Sequence, residues 1–327
     1  MSVRDSEPLV FVLDREPAFT EGLQHALGLE LALLEIREFE DSEHKLRPQA
    51  SVRGRDVYLV HRLAGTPGLS TNDNLVRLLF FIATVRDLGA ARITAVVPYL
   101  PYARKDRRTK PRDPVTLRYL AQLFESMGVD RLVTLDAHNQ AAVENAFRCE
   151  LVHLEARQAL ATRALELAGE LPLVVLSPDT GGVKRAERLR EGLREFSGRE
   201  VALAFMEKRR SEGVVSGDAV VGDLQNRCVL IIDDLIASGT TMGRAVEACR
   251  QAGAARVLAC ATHALFAPGA EKLLAHPGLH RLLVMNTVPL RETWPNLNVL
   301  PVEPQLARTV LALAGRTVDD PDPPLNR

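Results

Sequence analysis

The segment whose residue types most clearly indicate a chemical role spans residues 229–242. It reads Val-Leu-Ile-Ile-Asp-Asp-Leu-Ile-Ala-Ser-Gly-Thr-Thr-Met. Residues 229–232 form an apolar run typical of a strand buried on both faces of a parallel sheet. Asp233 and Asp234 follow at the predicted carboxyl end of this strand. A loop of small and hydroxyl residues comes next, and a helix is predicted to begin near Thr241. The loop consists of Ala237, Ser238, Gly239, Thr240 and Thr241.

This arrangement suits a sugar phosphate. In open α/β sheets, ligands bind beyond the carboxyl ends of strands, where helix amino termini present N–H groups to anions. Gly239 lets the backbone approach a phosphate, and neighbouring hydroxyls add donors. Asp233 and Asp234 can each accept a hydrogen bond from one hydroxyl of a vicinal diol. The Gly-Thr-Thr element alone is better explained by an ordinary helix cap, so the prediction depends on the whole string.

A second candidate site is a basic segment within residues 98–118. Prolines prevent a regular helix there, so the cations are predicted on a loop outside a sheet edge. Such a loop can neutralise a polyphosphate, with arginine giving bidentate contacts. Charge alone fits a solvated surface loop equally well. The charged residues are Arg104, Lys105, Asp106, Arg107, Arg108, Lys110 and Arg112.

Three further positions follow predicted strands. His138 lies just past one strand, where a lone histidine is more often a structural hydrogen-bonding group than a ligand. Asp179 precedes Gly181 and Gly182 in a strand–turn–helix junction, which explains the glycines but not the aspartate. The run 208–210, Lys-Arg-Arg, ends another predicted strand, and solvation is the usual explanation of such a triplet.

Strand and helix patterns alternate along the chain, which favours parallel sheets flanked by helices. The fold class is therefore α/β, with two similar domains and a boundary near residue 155. Strands are predicted at 9–13, 57–63, 93–99, 132–135, 173–176, 201–206, 229–232, 257–261 and 282–285. Helices are predicted at 74–88, 115–127, 183–196, 241–252, 268–275 and 305–314. Residues 318–327, rich in proline and aspartate, are predicted to form a mobile tail.

The bulk composition limits the possible partners. The 327 residues carry 25% charged side chains and a formal net charge of −1, which gives no reason to expect nucleic acid. Cys149, Cys228, Cys249 and Cys260 lack Cys-x-x-Cys spacing and are expected to be reduced thiols. The amino terminus lacks the apolar core of a signal peptide, and no apolar stretch is long enough to cross a bilayer. We therefore expect a cytoplasmic protein without membrane contact.

The motifs together resemble one family. The 229–242 segment resembles the phosphoribosyl-diphosphate loop shared by phosphoribosyltransferases and phosphoribosyl-diphosphate synthetases. Residues 98–107, Pro-Tyr-Leu-Pro-Tyr-Ala-Arg-Lys-Asp-Arg, resemble a synthetase element that phosphoribosyltransferases lack. The Asp-Ala-His, Ser-Pro-Asp-Thr-Gly-Gly and Lys-Arg-Arg strings match the same family in order, as does Phe39-Glu-Asp-Ser-Glu43. The chain is thus identified as similar to ribose-phosphate diphosphokinases from about residue 35 to about 315.

The resemblance implies a type I phosphoribosyltransferase-like fold, Mg²⁺, and self-association as a dimer or hexamer. It implies a nucleotide domain at 1–155, joined by a helix at 304–316, a ribose 5-phosphate domain at 156–303, and a mobile tail at 317–327. The implied ATP-binding residues are Phe39, Asp41, Ser42, Glu43, Arg104, Lys105, Asp106, Arg107 and His138. The implied ribose 5-phosphate residues are Arg210, Asp233, Asp234, Ala237, Ser238, Gly239, Thr240 and Thr241, the two aspartates acting directly or through a second magnesium. Lys208 and Arg210 are implied in catalysis, and His138 and Asp179 in holding the metal.

Some positions depart from the family pattern. Ala237 stands where an aspartate is common, Ser42 where a glycine is usual, and Glu212 where the common pattern has a proline–arginine continuation. The Gly-Thr-Thr string also looks more like a phosphoribosyltransferase loop. Two alternatives therefore stay open: a phosphoribosyltransferase, and a non-catalytic paralogue that regulates a true synthetase.

Overall fold

The chain forms two α/β units in a computed structural model that describes residues 7–211, 214–290 and 292–316, with the backbone alone at 208–211 and 214–218. The first unit comprises the described parts of Met1–His153 and Val302–Arg327, and the second is Leu154–Pro301. The chain thus returns to its first unit for its last helix. The segment 317–327, predicted as a tail, lies outside the described residues.

The first unit is built on a five-stranded sheet of order β1-β4-β5-β6-β7, with a separate two-stranded hairpin, β2-β3. Its elements are β1 (Leu9–Val12), α1 (Pro17–Leu27), β2 (Leu34–Glu38), β3 (His44–Pro48), β4 (Asp56–Val60), α2 (Thr71–Asp87), β5 (Arg92–Val96), α3 (Thr116–Ser126), β6 (Arg131–Leu135), α4 (Gln140–Ala146), β7 (Glu150–Leu154) and the last helix of the chain, α9 (Glu303–Leu313). Strands β1, β4, β5 and β6 pair in parallel.

Local sequence sets several of these elements. Helix α2 begins with a capping box, in which the Ser70 hydroxyl accepts from the Asp73 N–H and the Asp73 carboxylate accepts from the Ser70 N–H. Helix α1 begins at Pro17 and stops at Gly28, whose φ of 62° is left-handed. Apolar side chains of β1, β4 and β5 pack with α2 and α3 in one core.

The second unit contains a seven-stranded sheet of order β10-β9-β8-β11-β12-β13-β14. Its elements are α5 (Arg157–Ala168), β8 (Leu173–Ser177), α6 (Val183–Ser197), β9 (Val201–Ser211), β10 (Val214–Val221), β11 (Cys228–Ile236), α7 (Thr240–Gln251), β12 (Arg256–Ala264), α8 (Glu271–Leu274), β13 (Arg281–Met285) and β14 (Leu297–Leu300). From β8 the chain moves outward to β9 and then returns to place β11 on the other side of β8. The strand order therefore reverses between β8 and β11, and such a switch point is where open α/β sheets bind ligands.

The structure confirms the α/β class and the mostly parallel, helix-flanked sheets. It corrects several details. The strand predicted at 229–232 runs on to Ile236, because β12 keeps pairing with it from Asp233–Ala261 to Ile236–Ala264. Asp233 and Asp234 therefore lie inside β11 instead of after it. The helix predicted at 268–275 is only Glu271–Leu274.

The hairpins were absent from the sequence prediction. Strands β2 and β3 pair antiparallel, as do β9 and β10. The run 208–210, predicted to end a strand at 201–206, lies within the longer strand β9, with Lys208 opposite Asp218 and Arg210 opposite Val215. Among the described residues, no helix is both long and apolar enough to cross a membrane.

Candidate active site

The carboxylate pair lies at the switch point of the second sheet. Pairing between β8 and β11 reaches Leu176 and Ile231, so β8 no longer borders β11 at the two aspartates. Asp234 is buried, with 4% of its surface exposed, and Asp233 is partly buried. The Asp234 N–H donates to Asp233 Oδ1 at 2.9 Å. Burial and then the charge of Asp234 raise the pKa of Asp233, while Arg185 partly offsets this effect.

A single arginine contacts both carboxylates. Arg185 Nη1 donates to Asp233 Oδ1 at 3.1 Å, and Arg185 Nη2 lies 2.9 Å from Asp234 Oδ1. Arg185 is in the first turn of α6, where the helix dipole disfavours a cation. Its position there is explained by the two carboxylates that it contacts.

The segment after β11 has the geometry of an anion cradle. Gly239 is the N-cap of α7, with φ 73°, and as a glycine it gives this helix no side-chain cap. The N–H groups of that turn are therefore available to an anion. A Cβ atom on Gly239 would lie 2.9 Å from the Cβ of Leu273, so glycine is required by both conformation and space. The Ser238 and Thr240 hydroxyls lie 3.0 Å apart at the mouth of this cradle.

Asp179 organises the neighbouring turn between β8 and α6. Its Oδ1 accepts from the Gly182 N–H at 2.9 Å, and the Ser177 hydroxyl donates to the Asp179 carbonyl at 2.6 Å. A Cβ on Gly182 would lie 2.7 Å from the Ser177 Oγ, so Gly182 must stay small. The side chain of Asp179 is exposed at this edge of the sheet.

In the first unit, the basic loop after β5 is ordered around an aspartate. Asp113 Oδ2 accepts from Lys105 Nζ at 2.5 Å and from the N–H groups of Thr109 and Lys110, each at 3.1 Å. The bond from Lys105 and those from Thr109 hold the pKa of Asp113 well below its usual range. Lys105 is thus engaged within the loop, whereas Arg104 and Arg107 are exposed.

The loop after β6 joins this basic loop. Asn139 caps α4 by accepting from the Ala142 N–H, and its Nδ2 donates to Asp106 at 2.7 Å. His138, one residue earlier, is exposed. The structure therefore brings the His138 segment against the basic loop.

The segment 39–43, implied in ATP binding, forms the turn of the β2–β3 hairpin. The Phe39 N–H donates to the Glu43 carbonyl at 2.9 Å, and Asp41 Oδ1 accepts from the Glu43 N–H at 3.1 Å. Ser42 has φ 73°, a left-handed conformation that explains why glycine is usual at this position. The Phe39 ring is exposed, with the Arg37 guanidinium 5.1 Å from its centroid.

The remaining predicted catalytic residues are described by backbone only. Lys208 and Arg210 lie in β9, and their side chains lie outside the described part of the structure. Glu212 lies outside the described residues altogether.

A metal ion at this site would have to share its coordination shell with waters and substrate. Among the residues that the structure describes, no three His, Cys, Asp or Glu side chains cluster so that they could hold a metal ion. Magnesium commonly takes one or two carboxylates, with waters and substrate phosphates completing its shell. In the second unit Asp179 offers one exposed carboxylate to a shell of this kind, and in the first unit His138 offers an exposed imidazole that could reach a metal through a water.

Sequence inspection missed Arg185 and Asp113. Both had a usable signal. A basic residue in the first turn of a helix that follows a strand opposes the helix dipole and therefore needs an acidic partner nearby. An aspartate that follows several cations in a proline-rich loop can accept hydrogen bonds from their ammonium groups and from nearby backbone N–H groups.

The carboxylate pair and the glycine-capped helix start, at the switch point of a mostly parallel sheet, define an α/β protein of the phosphoribosyltransferase type. Comparison with known families agrees. The model of the phosphoribosyl transferase domain matches residues 150–274, and that of the N-terminal domain of ribose phosphate pyrophosphokinase matches residues 9–128.

Whole-chain similarity identifies the family. The chain is 32% identical over 306 residues to the ribose-phosphate pyrophosphokinase of Haemophilus ducreyi, covering 92% of this chain and 94% of that protein. It is 35% identical over 282 residues to that of Parasynechococcus marenigrum, covering 84% and 81%. The crystal structure of phosphoribosylpyrophosphate synthetase from Mycobacterium smegmatis matches with a TM-score of 0.84 and 31% identity, over 94% of this chain and 99% of that one. The chain belongs to the ribose-phosphate pyrophosphokinase family.

Proposed function

We propose that this protein is a ribose-phosphate diphosphokinase, which transfers the diphosphoryl group of ATP to the anomeric hydroxyl of ribose 5-phosphate and releases AMP. The observation that carries the proposal is the pairing of two carboxylates with a glycine-capped helix start at the switch point of the second sheet. A diol acceptor beside a phosphate cradle matches the two ends of a ribose phosphate. Family membership supplies the diphosphoryl transfer.

The ribose 5-phosphate belongs to the second unit in this proposal. Asp233 and Asp234 accept hydrogen bonds from the 2- and 3-hydroxyls. Residues 237–241 and the first turn of α7 hold the 5-phosphate, since that turn has no side-chain cap. Charge-assisted bonds of this kind are worth about 1.5–3 kcal/mol each.

The nucleotide belongs to the first unit in this proposal. The turn formed by Phe39, Asp41, Ser42 and Glu43 offers an exposed aromatic ring and carboxylates to the base and ribose. Arg104 and Arg107 contact the phosphates, because they are the exposed cations of the implied set. Lys105 supports the loop through Asp113, and Asp106 fixes it to Asn139 beside His138.

The reaction joins the anomeric oxygen to the β-phosphorus and breaks the bond from that phosphorus to the oxygen bridging the α- and β-phosphates. The proton of the anomeric hydroxyl goes to solvent, and AMP leaves with the bridging oxygen. Enzymes promote such transfers by positioning and by charge neutralisation. Lys208 and Arg210 are the proposed source of positive charge in the transition state. Mg²⁺ bound with ATP would withdraw charge from the phosphate oxygens, and the exposed carboxylate of Asp179 is the proposed protein ligand.

The decisive experiment measures AMP formation with ATP and Mg²⁺, with and without ribose 5-phosphate. The proposal expects AMP and phosphoribosyl diphosphate in equal amounts, and none without the sugar phosphate. A phosphoribosyltransferase would instead release diphosphate from phosphoribosyl diphosphate when supplied with a base. A non-catalytic paralogue would bind the ligands without turnover. Either result would overturn the proposal.

We further propose a cytoplasmic enzyme that self-associates as a dimer or hexamer, with no nucleic-acid or membrane partner. Light scattering coupled to size-exclusion chromatography gives the mass directly, and a monomer across micromolar concentrations would exclude the assembly.

A further inference from the structure

Arg185 is placed to do more than balance charge. Successive side chains of a strand point to opposite faces, so one group can reach both Asp233 and Asp234 only from beyond the edge of the neighbouring strand. Pairing of β8 with β11 reaches Ile231, and the Arg185 guanidinium lies past that point, with one nitrogen on each carboxylate. The guanidinium contacts the Oδ1 atom of each aspartate. The Asp234 N–H also donates to Asp233 Oδ1.

The backbone around Arg185 is itself held in place. Gly182, the N-cap of α6, is fixed by its N–H bond to Asp179 Oδ1. A Cβ on Gly182 would lie 3.6 Å from Arg185 Nη1, so the guanidinium packs along this turn. The start of α6 therefore fixes the backbone from which Arg185 reaches the carboxylates.

The positive charge of Arg185 explains how two adjacent carboxylates can be accommodated at this partly buried site. Asp234 has 4% of its surface exposed, and a buried carboxylate without a counter-charge is costly. Arginine keeps its charge in proteins, and its planar fork can address two carboxylates at once, which the point charge of lysine cannot. Arg185, together with the bond from the Asp234 N–H to Asp233 Oδ1, thus holds the two carboxylates relative to each other.

We propose that Arg185 is a positioning residue that makes this site select a sugar phosphate with two vicinal hydroxyls over a 2-deoxy sugar phosphate. The inference rests on the proposed function of the same site. With the guanidinium in place, the carboxylates are held so that each accepts from one hydroxyl, and a sugar lacking the 2-hydroxyl leaves one carboxylate without that bond. Without Arg185 the carboxylates separate, and the site loses the fixed spacing on which discrimination depends.

The test compares ribose 5-phosphate with 2-deoxyribose 5-phosphate in the full-length protein. Arg185→Met removes the guanidinium, and Arg185→Lys keeps the charge without the fork. Arg188→Met is the matched control, since Arg188 lies in the same helix and its Nη1 contacts Glu155 Oε1 at 2.6 Å, apart from the carboxylate pair. Circular dichroism and thermal unfolding establish whether each variant is folded. If Arg185→Met does not fold, the comparison is made with Arg185→Lys.

The expected result is a change in the kinetic parameters for the sugars with little change in those for ATP. Arg185→Met should raise KM for ribose 5-phosphate while KM for ATP stays within a few-fold, and the ratio of kcat/KM between the two sugars should fall by about tenfold or more. Arg185→Lys should fall between the parent and Arg185→Met, and Arg188→Met should match the parent. A merely structural role would lower kcat/KM for both sugars equally.

The outcomes separate this inference from the proposed function. If the parent protein forms AMP with ribose 5-phosphate but Arg185→Met and Arg185→Lys keep the parent's sugar discrimination, Arg185 has no positioning role and the proposed function stands. If the parent neither turns over nor binds ribose 5-phosphate in calorimetry, the proposed function fails and this inference fails with it.

Discussion

At the scale of single residues, the site depends on positions where the backbone conformation and the available space allow only one amino acid. Gly239 is the clearest case. It combines a left-handed φ of 73° with a Cβ position 2.9 Å from the Cβ of Leu273, which is not the mobile end of a side chain. The backbone that faces the proposed phosphate can therefore keep its shape only with glycine.

Gly239→Ala should destabilise the protein by about 1–3 kcal/mol and raise KM for ribose 5-phosphate more than KM for ATP. Gly243→Ala is the control, because the Gly243 N–H already donates to the Gly239 carbonyl at 2.8 Å and nothing lies within 4 Å of its Cβ position. That change should stabilise the helix by about 0.5–1 kcal/mol. Thermal unfolding and steady-state kinetics measure both, and equal behaviour of the two variants would refute the constraint at Gly239.

A buried histidine in the first unit predicts acid sensitivity. His61 is 4% exposed, and neither ring nitrogen has a hydrogen-bond partner within the described part of the chain. Burial lowers the pKa of His61 to about 4, with Asp14 opposing the shift and Arg77, Arg62 and Arg15 adding to it. The imidazole is therefore neutral in the folded protein, while in the unfolded chain it titrates near its usual value of about 6.5.

Between these two values the unfolded state binds more protons, so stability rises with pH. The contribution of His61 is fully present above about pH 6.5 and is lost as the pH falls towards 4, to a total of about 3 kcal/mol. Urea unfolding from pH 7 to pH 4 should show a shallower loss in His61→Gln than in the parent. The control His25→Gln, at an exposed histidine, should lose as much unfolding free energy between pH 7 and pH 4 as the parent. If His61→Gln also loses as much as the parent, a group other than His61 causes the acid sensitivity.

At the scale of elements, the basic loop of the first unit is a structure centred on Asp113. Four donor atoms converge on its Oδ2, from Lys105, Lys110 and both the N–H and the hydroxyl of Thr109. The exposed arginines of the loop keep their positions because this centre fixes the backbone between them.

Asp113→Asn should weaken ATP binding by about tenfold while leaving global stability nearly unchanged, because a loosened loop must be ordered when the nucleotide binds. Calorimetry with a non-hydrolysable ATP analogue measures the affinity, and amide exchange reports the loop. Glu170→Gln removes an equal charge from an exposed position in the other unit and should bind normally. Unchanged affinity in Asp113→Asn would mean that the loop does not contact ATP.

The β9–β10 hairpin carries the proposed catalytic cations. If Lys208 contacts the phosphates only in the transition state, its loss should lower kcat and leave the Michaelis constants nearly unchanged. Lys208→Ala should reduce kcat by about a hundredfold or more, with both KM values within a few-fold. Arg250→Ala, which removes an exposed cation at the end of α7, should retain the parent kcat. Near-normal turnover in Lys208→Ala would favour the non-catalytic paralogue.

At the scale of the whole molecule, the two units have separate tasks in the proposed function. Arg104 belongs to the first unit and Asp234 to the second. A pair of variants can therefore test whether the ligands divide between the units.

Arg104→Ala should weaken binding of an ATP analogue and leave ribose 5-phosphate binding within a few-fold of the parent. Asp234→Asn should do the reverse, with a loss of about 1.5–3 kcal/mol for the sugar phosphate. Calorimetry with each ligand separately gives the four affinities. If either variant weakens both ligands equally, the assignment of one ligand to each unit is wrong.

The sequence by itself determined the α/β class, the approximate strands and the motifs, because apolar runs and glycine positions are local properties. It also placed Gly239 correctly at a helix start. It did not give the hairpins, because antiparallel pairing of 34–38 with 44–48 depends on partners as much as on pattern.

Only the tertiary structure decided where β11 ends and what meets its carboxylates. Asp233 and Asp234 lie within the strand because β12 continues to pair there after β8 has stopped. Because β8 ends before β11 does, there is room beside the two aspartates for the Arg185 guanidinium. Arg185 lies 48 residues before Asp233 in the sequence. The position of Arg185 in the first turn of α6 indicates that it needs an acidic partner, but which carboxylates it contacts depends on the order of strands in the sheet.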